Sequence, residues 1–109
     1  MAYNEGLADR LRAYFESRHE VVEKKMFGGL AFMLNGHMCV GINDNSLMAR
    51  VGPDQYQVAL VRPHAREMDF TGRSLKGFVY VGPDGVATDA ALASWVDLCV
   101  AYIKSLPPK

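Results

Sequence analysis

The chain has 109 residues, half of them hydrophobic, and its twelve basic side chains are balanced by twelve acidic ones. That length suits a single domain, residues 1–109, able to bury a core without staples. The composition excludes a disordered polymer, and the zero formal charge argues against a protein whose main task is to neutralise nucleic-acid phosphates. Cys39 and Cys99 lie far apart with no CxxC or Cys/His ligand spacing. Neither a zinc site nor a disulfide framework is signalled, so reduced thiols, a cytoplasmic location and no cofactor are expected. No stretch approaches the roughly 20 apolar residues of a membrane span, and the first residues lack the apolar run of a leader.

Leu7, Leu11, Tyr14 and Phe15 recur at helical spacing, with Asp9, Arg10, Arg12 and Glu16 on the other side. This pattern predicts an amphipathic helix from about Asn4 to Arg18. Val21 to Lys25 reads as a connector whose end can open a strand. From Lys25 to Val51 two turn signals, Asn35-Gly36 and Asn43 to Ser46, separate three short apolar runs suited to an antiparallel meander. A two-residue Asn-Gly turn would pair Leu34 with His37 and put Leu30 and Phe32 on the same face as Cys39. A three-residue loop, with Gly36 as a bulge residue, would instead align Phe32 with Met38 and Leu30 with Val40, and hydrophobic matching favours it. The second turn pairs Ile42 with Leu47 and Val40 with Ala49. One face of the meander, with Leu30, Phe32, Met38, Val40, Ile42, Leu47, Ala49 and Val51, is expected to meet the helices.

Val51-Gly52-Pro53-Asp54 recurs as Val81-Gly82-Pro83-Asp84. The flanks differ, so shared punctuation after a strand explains it better than a repeat. A short helix follows the first copy, from Pro53 to about Val61. Met68 to Phe70 and Gly77 to Val81 read as two further strands. Thr88 caps a last helix whose buried stripe is Leu92, Trp95, Val96, Cys99, Ile103 and Leu106. The expected fold is α+β in the order α-β-β-β-α-β-β-α, a mainly antiparallel sheet covered by helices.

Three places invite a functional reading. Met33, His37, Cys39, Met48 and Arg50 are expected on the outer meander face, which is unusually apolar and suits a protein partner or self-association. Cys39 near His37 and Arg50 would have a lowered thiol pKa, the environment of a nucleophile. Arg62, His64, Arg66, Arg73 and Lys76 form the chain's basic concentration, with Phe78 or Tyr80 as a stacking ring, and could contact an anion or nucleic acid. Phe27-Gly28-Gly29 precedes a strand and lacks the Lys-Ser/Thr of a phosphate loop, so a strand-entry role fits it better. No Ser-His-Asp set, carboxylate pair or HExxH motif is present, and no enzymatic activity is expected.

Lys25 to Phe32, Asn35-Gly36 with Met38, Arg50-Val51-Gly52, Met68 to Arg73 and Lys76 to Val81 together resemble the TfoX/Sxy N-terminal domain family. The likeness runs through Trp95 to Leu106-Pro107-Pro108-Lys109, as in the short stand-alone members. It implies a helix, a three-stranded meander, a helix, two strands and a helix, and a bacterial source. Full-length relatives regulate DNA-uptake competence, alongside a cyclic-AMP receptor type activator, and carry a second helical domain that this chain is expected to lack. The family offers no catalytic residues to carry over. The expected function is a small regulatory or protein-interaction module, a possible homodimer. Nucleic-acid binding through Arg62–Lys76 is the alternative, and an enzyme using Cys39 is less favoured.

Overall fold

The protein's structure, a computed structural model, describes residues 3–16, 20–26, 28–70 and 73–107; the side chains at 26, 68–70 and 73–76 lie outside that description. Three α-helices and six strands are present among the described residues. The helices are α1 (Glu5–Phe15), α2 (Tyr56–Leu60) and α3 (Asp89–Lys104). The strands are β1 (Val22–Met26), β2 (Gly29–Leu34), β3 (His37–Asn43), β4 (Ser46–Arg50), β5 (Ala65–Phe70) and β6 (Arg73–Val81). They form one antiparallel sheet in the order β1-β2-β3-β4-β6-β5. The α+β order anticipated from the sequence holds, with one strand more.

That added strand is β1, where a connector was expected. It pairs with β2 without irregularity from Val22–Met33 to Met26–Gly29. Its sequence hides it because an edge strand needs little apolar surface. Lys24 and Lys25 stay in water, and Glu23 is held by Arg12 of α1, whose Nε and Nη2 donate to the two carboxylate oxygens at 2.7 and 2.8 Å. The Arg12 guanidinium keeps the Glu23 carboxyl below its ordinary range.

The meander departs from the expected register in an instructive way. Asn35 and Gly36 take φ of 55° and 85°, the two left-handed residues of a tight hairpin turn. Leu34 therefore faces His37, and Met33 faces Met38, yet Phe32 faces Val40. Cys39 is the extra residue between the two pairings, a bulge in β3. The three-residue loop and the pairing of Phe32 with Met38 are thus corrected. The apolar match is made by a bulge inside the strand. Pairing of β3 with β4 agrees with expectation: Val40 with Ala49 and Ile42 with Leu47.

All three helices send side chains into one buried cluster on the same side of the sheet. Asn4 caps α1 by accepting from the Leu7 amide at 3.0 Å, and its own amide donates to the Asp44 carbonyl at 2.8 Å, tying the helix start to the β3–β4 turn. Leu7, Leu11 and Phe15 are buried, and Phe15 stacks on Phe32 at 5.8 Å. Thr88 caps α3 through the Ala91 amide, and Leu92, Trp95, Val96, Cys99, Val100 and Ile103 pack inward. Tyr14 of α1 donates to Asp97 of α3. Each large apolar side chain so buried is worth about 1.5–3 kcal/mol, so the helix-side layer supplies most of the folding drive.

The Val-Gly-Pro-Asp repetition is punctuation, since each copy opens a 3-10 turn, Pro53–Gln55 and Pro83–Val86. Gly52 adopts φ 89° while Gly82 adopts −66°, so the two are not conformational equivalents.

Candidate functional site

Alternation along the sheet assigns Leu30, Phe32, Val40, Ile42, Leu47, Ala49, Val79 and Val81 to the helix side. The strand positions that alternate with these point to the other side of the sheet. Ala31, Met38, Met48 and Tyr80 form a second buried cluster there, with Met33 and Phe78 partly buried against it. Of the five residues proposed for this face from the sequence, Met33, Met48 and Arg50 belong to it.

His37 and Cys39 do not. The bulge turns Cys39 into the helix-side core, where it is fully buried, and Met38 takes the outward position. His37 stands at the start of β3, opposite Leu34 of the helix-side cluster, with Nε2 2.8 Å from the Pro107 carbonyl oxygen. The expectation of an activated thiol is therefore reversed: desolvation pushes Cys39 up to about 12, and the Arg50 charge opposes this only in part. Cys99, buried in the same cluster, is raised for the same reason. Because only the thiolate is reactive, folded protein at pH 7.5 is expected to resist alkylation by iodoacetamide at both cysteines. Urea should expose both within the same assay, with intact mass as the readout.

Glycine makes the outer face possible. A Cβ at Gly41 would lie 2.7 Å from the Met48 Cε and 3.0 Å from the Met38 Cε. The two methionine ends thus fold into the space that the missing side chain leaves. Two cations lie against rings here: Arg50, at the end of β4, has Cζ 5.4 Å from the Phe78 centroid and 5.7 Å from that of Tyr102 of α3, and Arg66 Cζ is 4.5 Å from the Tyr80 centroid. Arg50 Nη1 also donates to the Met38 carbonyl at 3.4 Å. Burial raises the Tyr80 phenol, and Arg66 and a hydrogen bond with Asn43 oppose this only in part. Lys24 of β1 stands opposite Ala31 on this same face. The alternation of Phe78 and Tyr80 with Val79 and Val81 was legible in sequence, but which pair faced outward depended on the pairing of β6 with β4.

Of the basic group proposed for anion or nucleic-acid contact, the described side chains of Arg62 and Arg66 do not come together. Arg62 reaches towards α3, donating to the Ser94 hydroxyl at 3.0 Å with Cζ 3.8 Å over the Trp95 ring. Arg66 lies on the opposite side of the sheet, and His64 is exposed in the turn before β5 at φ 69°. Arg73 and Lys76 are in β6, their side chains outside the described set. Among the described residues no group of His, Cys, Asp or Glu could hold a metal ion, and no helix is long and apolar enough to cross a membrane.

No curated protein and no solved structure matches the chain. The family model for the TfoX N-terminal domain matches residues 13–103, from the last turn of α1 to the last turn of α3. That stretch holds all six strands and the whole outer face, and the chain belongs to the TfoX N-terminal domain family.

Proposed function

We propose that the chain is a small bacterial regulatory module, cytoplasmic and without catalytic activity of its own, that binds a protein partner on the helix-free face of its sheet. Family membership supports the regulatory, competence-related setting. The observation that carries the reading is charge segregation. The chain is neutral overall, yet at strand positions facing away from the helices every described charged side chain is a cation: Lys24, Arg50 and Arg66. Glu23, Asp89 and Asp97 are held on the helix side instead, by Arg12, Arg10 and Tyr14 of α1.

The accessible part of the face is Met33, Phe78 and Arg50, with Lys24 and Arg66 exposed beside them. Beneath lies the buried bed of Met38, Met48, Ala31 and Tyr80. Methionine side chains are flexible and polarizable, so such a bed adapts to the partner's shape, and cations at the rim select a partner carrying carboxylates beside apolar side chains. Nucleic-acid binding is less well supported, because Arg62 and Arg66 sit on opposite sides of the sheet.

A photo-crosslinking residue at Phe78 is expected to yield protein adducts in cells. The same residue at Ala13, on α1, should yield none of them. Adding Arg50→Glu and Arg66→Glu to the Phe78 probe should abolish the adducts, while adducts that persist, or that form equally from Ala13, would sink the reading.

A further inference from the structure

β1 ends the sheet, so among the described residues one side of its backbone has no partner strand. The other terminal strand, β5, is poorly suited to extension because its ladder shifts register between Glu67 and Asp69, a bend that blunts an edge. β1 is different: it pairs with β2 along its length with no shift of register. Its sequence, Val-Glu-Lys-Lys-Met, is also complementary to itself when reversed. In an antiparallel pairing centred on Lys24, Glu23 of each copy faces Lys25 of the other, and position 22 faces position 26.

From this we infer that β1 pairs with β1 of a second copy, antiparallel about Lys24, so that the two sheets become continuous. The inference goes beyond the partner reading and stands whether or not the helix-free face binds anything. The sides agree with it. Glu23 and Lys25 both lie on the helix side, opposite Phe32 and Leu30, so the two ion pairs related by the twofold axis form on one face. Glu23 is already ionised beside Arg12, and a carboxylate has acceptor capacity left for a second cation. Val22, on the other face, is 66% exposed, and the pairing lays it along the second copy's strand.

Space is open on both sides of the edge. One hollow is floored by Val22, Met33 and Leu34, the other by Phe15, Val21 and Phe32. Lysines on an edge ordinarily keep foreign strands away. Here they admit a strand that offers a carboxylate opposite Lys25, which β1 itself does. The juxtaposed Lys24 side chains oppose the pairing by like charge, so the dimer is one of modest affinity.

Light scattering on the intact protein at roughly 100 µM, a concentration suited to a small, weak interface, should give a mass above the 12.1 kDa of the chain and moving towards twice that with concentration. Lys25→Glu creates two like-charge contacts in place of two ion pairs and should weaken the dimer about 10- to 100-fold. Glu23→Lys should do the same. Mixing the two variants restores both pairs in a heterodimer, so association should return in the mixture alone. Circular dichroism checks that each variant is folded. If Glu23→Lys is not, Lys25→Glu against the sign-preserving Lys25→Arg decides, with only the first losing the dimer. A monomeric wild type, a dimer indifferent to Lys25→Glu, or a mixture of folded variants that stays monomeric overturns the inference.

Discussion

Trp95→Ala is expected to destabilise the protein by about 3–5 kcal/mol, a large part of the roughly 5–15 kcal/mol that holds a domain of this kind together. Trp95 is 2% exposed in the middle of the α3 stripe, within the cluster that joins all three helices to the sheet. Removing the indole forfeits its transfer energy and leaves a cavity that neither α3 nor the sheet beneath can close, because both are rigid elements. It also strips the ring from under Arg62, whose Cζ sits 3.8 Å from the centroid. Far-UV circular dichroism melts should show a fall of roughly 15–30 °C. Arg62→Ala, which removes the cation and spares the ring, should cost only about 1 kcal/mol. A loss below about 1.5 kcal/mol for Trp95→Ala would mean that α3 does not pack on the sheet as described.

Gly29→Ala should be nearly as damaging, about 3 kcal/mol, although it adds a single methyl group. An added Cβ would overlap the Ile42 carbonyl oxygen and crowd Asn43 Cα at 3.3 Å. Both are backbone atoms of β3, which cannot swing aside as a side-chain end would. The strands must separate locally, and Gly29 closes the β1–β2 pairing as well as starting β2. Gly28→Ala serves as the control: its added Cβ meets nothing within 4 Å, but φ is +73°, so the cost is the left-handed strain of about 1–2 kcal/mol. Urea denaturation of the three proteins should order them wild type, Gly28→Ala, Gly29→Ala. The reverse order would refute the close approach of β2 to β3.

Much of this was legible in the residues. Helical spacing located α1 and α3, and the cap of α3, Thr88, was visible as a side chain of the right type just before an apolar stripe. Met33, Met48 and Arg50 were rightly assigned to one face. The Met-rich character of that face was also readable. What failed was the local step from a turn to a face. Two registers were available between Phe32 and His37, and apolar matching favoured the one that the structure does not use. Period-2 reasoning allows one rule per strand, whereas a bulge changes the rule midway.

By itself, then, the order of residues determined that this chain builds helices over an antiparallel sheet, roughly where five of its six strands lie and that Thr88 caps the last helix, because periodicity and turn chemistry are local properties. Only the tertiary structure decided that Cys39 is a core thiol and Met38 a surface-face methionine, that Val22 to Met26 is a sixth strand at an open edge, and that Arg62 and Arg66 lie on opposite sides of the sheet. The physical reason is the same in each case. Which way a strand residue points, and whether a polar strand has a neighbour, are set by hydrogen-bonded pairing with residues distant in sequence.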